Sequence, residues 1–227
     1  MPTQSDSIGI MSLFRPSRIL PVAMILACSS SLGGERMART FHPADIITWE
    51  RHAFTGETRY ELTEVDGQPA VLASCTDGSA SGLFLRGEID LVRTPVIEWE
   101  WRVKRTFVNI NEQTRTGDDY PARLYAVDEH RLMPWRTRAI SYVWASGMAR
   151  GAQWKNAYQA RAVMVAMRSG ADADTGWVTE RRNLRDDFRD IHGRDLEVLD
   201  ALAIMTDCDD TGQQVEAWYG EIRLLSE

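Results

Sequence analysis

From residue 58 onward, apolar and polar positions alternate in short runs separated by turn-forming clusters. Successive strand side chains point to opposite faces, so this period of two predicts half-buried β-strands. The cleanest case is residues 96–104, VIEWEWRVK. There Ile97, Trp99, Trp101 and Val103 share one face, and Glu98, Glu100, Arg102 and Lys104 share the other, which predicts a strand with one core face and one wet face. Residues 58–65 and 70–74 alternate around Asp66-Gly67-Gln68-Pro69, a turn cluster that predicts a hairpin. Further strands are expected over 79–85, 123–127, 140–144, 161–167, 199–206 and 216–225. Residues 106–119 are polar and predict a loop ending in Gly117-Asp118-Asp119. Leu184, Phe188 and Ile191 recur at i, i+4 and i+7 with Gly193 behind them, the spacing of one short amphipathic helix. Many short strands and a single helix predict a mainly β fold, an antiparallel β-sandwich or jelly roll, as one domain over residues 41–227.

The first 40 residues follow a different pattern. Arg15 and Arg18 precede an apolar run, Ile19 to Ala27, and then come Cys28 and a Ser/Gly-rich stretch. A positive segment, an apolar segment and a small-residue exit together read as a secretory signal. Ile25-Leu26-Ala27-Cys28 also resembles a bacterial lipobox, which makes Cys28 the expected site of a lipid anchor and the only expected membrane contact. Residues 1–40 are therefore expected to be a leader and short tether on an exported protein, periplasmic, anchored at the outer membrane or secreted. The alternative is a cytoplasmic leader ahead of a start at Met37.

Composition narrows the partners. A net charge of −7 without a basic stripe excludes nucleic acid, whose phosphates require clustered Lys and Arg. Hydrophobic residues at 44% and charged residues at 26% are ordinary for a globular domain. Besides Cys28 the chain has Cys75 and Cys208. An oxidising compartment permits a disulfide between them, but their spacing leaves a disulfide and two buried thiols equally open.

Three segments, taken together, resemble the bacterial family called domain of unknown function 3047. They are Ser79-Ala80-Ser81-Gly82-Leu83; Trp99-Glu100-Trp101-Arg102-Val103 with 117–125 (GDDYPARLY); and Ile204-Met205-Thr206-Asp207 through Thr211-Gly212 with Trp218-Tyr219-Gly220-Glu221-Ile222. The likeness runs from about Phe54 to Leu225. It implies an envelope or secreted β-sandwich with no assigned activity, and no catalytic residue is carried over. The family's pattern has Thr where this chain has Cys208, and Asn where it has Asp210.

Candidate chemistry then falls on three features. The polar face of the 96–104 strand, with Asp119, Arg123, Tyr125, Tyr219 and Glu221 expected to join it from neighbouring strands, offers forked donors, acceptors and amphipathic rings suited to hydroxyl-rich ligands. The expected ligand-binding set is thus Glu98, Glu100, Arg102, Asp119, Arg123, Tyr125, Tyr219 and Glu221. Glu98 and Glu100 lie about 7 Å apart along one strand, a separation that also suits paired carboxylates at a glycosidic bond. The competing account is a solvated face of cross-strand ion pairs. Second, Asp207-x-Asp209-x-Thr211-Gly212 matches the opening of a calcium loop. This makes Asp207, Asp209 and Thr211 candidate calcium ligands, with Asp118 or Asp119 in reserve. Its twelfth position is Trp218, not the usual carboxylate, and a plain strand-to-strand turn explains the same residues; no other cofactor is expected. Third, Trp135, Trp154 and Trp177 sit near loops, where an indole either stacks on a sugar or covers the end of the core. Gly78-Ser79-Ala80-Ser81-Gly82 has Ala80 where a nucleophile elbow needs Ser, and the four His are scattered. No reaction is fixed by motif. The leading expectation is a non-enzymatic, carbohydrate-binding-like protein with a glycan partner. Its rivals are a glycan-cleaving hydrolase or lyase using acids of that face, and a structural or partner-binding envelope protein.

Overall fold

The computed structural model describes residues 38–226 apart from Arg131; the leader, Cys28 and the proposed anchor lie outside the described residues. Two β-sheets face each other across one core. In chain order the strands are β1 (Ala38–Phe41), β2 (Glu50–Thr55), β3 (Arg59–Val65), β4 (Gln68–Cys75), β5 (Ala80–Asp90), β6 (Val96–Val103) and β7 (Arg123–Asp128). They continue with β8 (Arg138–Trp144), β9 (Gln153–Lys155), β10 (Ala162–Arg168), β11 (Val178–Asn183), β12 (Val198–Asp207) and β13 (Val215–Leu225). The first sheet has six strands in the order β11-β6-β13-β4-β3, with β1 also paired to β13. The second has seven, in the order β2-β5-β12-β7-β8-β10-β9. The architecture is the expected sandwich, with one departure from antiparallel pairing: β8 and β10 run parallel. No helix among the described residues is long and apolar enough to cross a membrane.

The alternation in β6 sets the core. Ile97, Trp99, Trp101 and Val103 are buried, whereas Glu98, Glu100 and Arg102 face outward. From the facing sheet, Tyr142 and Trp144 of β8 meet the two indoles, with ring centroids 5.4 Å apart for Trp99–Tyr142 and 5.8 Å for Trp101–Trp144. Aromatic pairs of this kind add to the area term that drives the sheets together.

The expected helix is α2 (Leu184–His192), which follows the four-residue α1 (Pro43–Ile46). Asn183 caps α2 by accepting from the Asp186 N–H at 3.1 Å, and Gly193 closes it in the left-handed conformation, as capping chemistry requires. Leu184 and Phe188 are buried in the core. Cys75 at the end of β4 and Cys208 just past β12 form a disulfide with Cα atoms 6.0 Å apart, so the pairing left open by spacing is decided by the fold. It ties one sheet to the other among Phe107 and Val215.

Four strands, β1, β2, β9 and β11, and α1 are additional to those the sequence predicts, and the folded region begins before residue 41, because β1 pairs with β13. The missed strands β2 and β11 are edge strands. Every residue of β2 is exposed, and β11 reads VTERRN. Charged edge strands avoid unwanted pairing and carry no alternation to detect.

Candidate functional site

The eight residues expected on one polar surface occupy three places. Glu98, Glu100, Arg102 and Glu221 lie on the outer face of the six-stranded sheet. Asp119, Arg123 and Tyr125 belong to the seven-stranded side, because β7 pairs with β12 and β8 and never with β6 or β13. Tyr219 points into the core, buried, with its hydroxyl donating to the Met205 carbonyl at 2.6 Å. Strict alternation would place Tyr219 and Glu221 on one face. A β-bulge prevents it: Tyr219 pairs with Trp101 and Ile222 with Trp99, so Gly220 and Glu221 together oppose Glu100. One extra residue turns every later side chain over. Gly220 is needed there, since a β-carbon would lie 2.9 Å from Glu100 Cβ.

The outer face of the six-stranded sheet is an ion-pair lattice. Arg223 reaches Glu98 at 2.8 Å and Glu100 at 3.8 Å, Arg181 reaches Glu98 at 3.5 Å, and Arg102 reaches Asp66 at 2.5 Å. Gln68 donates to Glu100 at 2.6 Å, and Glu221 pairs with His42 at 2.7 Å. Glu98 and Glu100 are matched by arginines of adjacent strands, the arrangement of a solvated structural face.

The seven-stranded sheet carries a groove of about 520 Å³ on its outer face. Its floor crosses six consecutive strands: Phe54 of β2, Ala80 and Phe84 of β5, Met205 of β12, Tyr125 and Val127 of β7, Ala139 of β8 and Ala162 of β10. Small residues at Ala80, Ala139 and Ala162 leave the depression, and aromatic rings line it. Phe54 is 61% exposed and stacks in a cluster with His52 and Phe84. Tyr158 is 55% exposed and stands among the lining residues of the polar end, near Asn156, Gln159, Asp118, Asp207, Asp209 and Asp210.

Arg123 organises that polar end. It is 2% exposed. Its Nε donates to Asp207 Oδ1 at 2.8 Å and its Nη2 to Asp207 Oδ2, the forked geometry of an ionised pair. Two of the three remaining N–H groups reach the Asp118 carbonyl and the Tyr125 hydroxyl, the latter at 3.0 Å. The guanidinium lies 4.2 Å over the Tyr120 ring. Asp118 accepts from Asn156 at 2.5 Å and from the Tyr120 hydroxyl at 3.3 Å. Burial holds the Asp118 carboxyl above the usual carboxylate range, against the opposing pull of Arg123. Burial also raises Asp210, with its neighbours Asp209, Asp119 and Asp118 adding to the effect, while Tyr158 donates to it and opposes the rise. That bond, foremost, pushes the Tyr158 hydroxyl up to about 12.

The calcium candidates meet here in part. Asp119, Asp207 and Asp209 bring oxygens within 4.8 Å of one another. Two of the three are already engaged by protein donors. Asp207 faces the Arg123 fork, and Asp119 accepts from the backbone N–H groups of Asp210 at 3.2 Å and Thr211 at 2.6 Å. Thr211 Oγ1 accepts from the Gln213 N–H at 3.2 Å. Gly212 has φ +67° and donates to the Cys208 carbonyl at 2.9 Å, so the segment is a tight turn held by Asp119. The positive charge among these carboxylates is the guanidinium of Arg123. Of the loop indoles, Trp154 is buried and donates to the Glu112 carbonyl at 3.2 Å, Trp177 is half-buried, and Trp135 is 65% exposed. The groove itself escaped sequence reasoning: Phe54 lies in an edge strand, Tyr158 in a loop, and Ala139 and Ala162 carry no chemical signal.

A family model described as a protein of unknown function (DUF3047) matches residues 47–223, and the chain belongs to that family. No curated protein matches the sequence. Among solved structures, the chain is similar to the family 11 carbohydrate-binding module of a Clostridium thermocellum cellulosomal cellulase. The identity is 10% and the TM-score 0.48, over 84% of this chain and 95% of that one. It is also similar to the glycoside hydrolase domain of Endo-D from Streptococcus pneumoniae R6, at 11% identity and a TM-score of 0.42, covering 78% of this chain and 21% of that one. A family 29 carbohydrate-binding module aligns at 7% identity and a TM-score of 0.41, over 84% and 92%.

Proposed function

We propose that this DUF3047 member is an exported, non-enzymatic glycan-binding protein whose site is the groove across the seven-stranded sheet. The observation that carries the reading is the pairing of an apolar, ring-lined floor with a cluster of polar side chains at one end. Sugars have apolar faces and hydroxyl edges. Exposed rings such as Phe54 and Tyr158 pack against the former, and Asn156, Gln159 and the Asp side chains bond the latter. The face carrying Glu98, Glu100 and Arg102 is the weaker candidate, because its charged groups already pair with one another. Export is supported by the 19–28 segment read as a signal with Cys28 as its anchor, and a Cys75–Cys208 disulfide fits an oxidising compartment.

Calorimetric titration of the full chain with a panel of oligosaccharides tests the site. Phe54→Ala and Tyr158→Ala are expected to weaken binding by about two- to tenfold each, since packing on an exposed ring contributes about 0.5–1.5 kcal/mol, and to leave the melting temperature nearly unchanged. Normal binding by both variants would move the site off the groove. A second reading rests on the place of Asp118, a buried carboxyl that lines the same groove; burial favours its protonated form, as a general acid in glycan cleavage requires. Incubation of the oligosaccharides with the chain, followed by product analysis, decides it. New reducing ends that vanish in Asp118→Asn establish cleavage.

A further inference from the structure

The groove's polar end is unbalanced in charge, and this bears on which glycan it accepts. Its lining holds four carboxylates, Asp118, Asp207, Asp209 and Asp210, against a single cation, Arg123. Arg123 has at most one N–H to offer an anionic ligand. Its Nε and Nη2 are committed to Asp207 and the Asp118 carbonyl, and Nη1 already donates to Tyr125. Behind the lining, Asp119 adds a fifth carboxylate, within 4.8 Å of Asp207 and Asp209 through their nearest oxygens. Asp209 makes no side-chain hydrogen bond or ion pair among the described residues, although it is half-buried at the groove. The outer face of the opposite sheet shows the contrast, because Glu98, Glu100 and Glu221 each have an arginine, amide or histidine partner.

An incoming ligand therefore meets an apolar floor and, at one end, carboxyl groups of which only Asp207 has a cation partner among the described residues. A uronate or sulfated sugar is repelled there. A neutral sugar gains ring packing and neutral hydrogen bonds from its hydroxyls, without charge assistance on the ligand side. A protonated amine gains charge-assisted hydrogen bonds to carboxylates that have no other cation. From the groove's shape and its charge together, we infer that the glycan carries a free amino group on the sugar placed between Asp209 and Asp210, as in a de-N-acetylated amino sugar. The inference rests on the glycan-binding reading of the groove and adds the chemical class of the ligand.

The test compares three hexasaccharides of equal length by titration calorimetry on the full chain. One is built of glucosamine, one of N-acetylglucosamine with the same linkage, and one of a uronic acid. The glucosamine hexamer is expected to bind about tenfold tighter than the acetylated one, the gain of one charge-assisted contact, and the uronic acid hexamer not to bind. D209N and D210N, which keep oxygen acceptors at both positions, are expected to collapse the difference between the first two. Equal or tighter binding of the acetylated hexamer, or an amine preference that survives in both variants, overturns the inference and leaves the glycan-binding reading standing. Absence of binding by all three together with the wider panel overturns that reading itself. A titration with calcium alone completes the test. Saturable calcium binding that displaces the glucosamine hexamer would show the acidic end to be a metal site and overturn the amine assignment.

Discussion

On the outer face of the six-stranded sheet, Arg223, Arg181 and Arg102 reach across strands to Glu98, Glu100 and Asp66, and each of these side chains stays partly exposed. On the outer face of the seven-stranded sheet, Arg123 lies beneath the surface, locked to Asp207, while Asp118, Asp209 and Asp210 gather around it beside an apolar floor. Similar residue types produce a self-satisfied lattice on one side and a groove with unspent charge on the other. The difference comes from depth. Exposed pairs are screened and contribute little, whereas a buried pair must be matched closely because each ion has lost its water. Ligand affinity follows from polar groups that the fold holds in place without fully satisfying them.

The largest effect that sharpens this contrast is expected from Arg123→Ala. Removing one partner leaves Asp207 buried and unpaired, a loss of about 3–5 kcal/mol, read as a shift in the denaturant midpoint with an unchanged slope. A loss below 1 kcal/mol would place Arg123 in the same class as the surface arginines. Next is the disulfide that holds the Asp207 turn against β4. Replacing both Cys75 and Cys208 by Ala is expected to cost about 2–4 kcal/mol in urea unfolding, and a stability equal to that of the parent would detach the turn from that tie.

A smaller effect separates the two faces by pH. Burial raises the folded-state pKa of Asp118 above its unfolded value. Between those two values the folded protein holds a proton that the unfolded chain has released. Stability therefore rises as pH falls through the raised pKa toward the ordinary carboxylate value, and is lower above it. Asp195, exposed and held at about 2 by its bonds to Arg185 and Arg189, has the opposite sign and loses its contribution only at lower pH. Asp118→Asn should flatten the upper part of a plot of melting temperature against pH; an unaltered profile would remove Asp118 as its source. Smallest of all, Arg102→Ala and Arg223→Ala are expected to change stability by less than about 1 kcal/mol each and to leave glycan affinity untouched. A loss of binding in either would return the site to the six-stranded face.

Local pattern made much of the sandwich legible. The alternation from Val96 to Val103 fixed which side chains of β6 are buried before any partner strand was known, because the pleat alone alternates the faces. The i, i+4, i+7 spacing with Gly193 behind it marked α2 by the same kind of short-range chemistry. The site was less legible. Arg123, Tyr125, Asp207 and Asp209 were singled out as residues, but Arg123 and Tyr125 were placed beside Glu98 and Glu100, on the sheet opposite the one they occupy.

What the sequence by itself determined is therefore most of the interior strands, α2 and, where alternation is unbroken as in β6, the inward face, since these follow from backbone geometry and burial over a few residues. Three things were decided only by tertiary structure. Strand pairing sent β7 to β12 and β8 instead of to β6. The bulge at Gly220 and Glu221 turned Tyr219 into the core, away from Glu221. The meeting of Phe54, Ala139, Ala162 and Tyr158 across six strands made the groove. Each depends on contacts between residues far apart in the chain, and a period of two is blind to which neighbour a strand chooses.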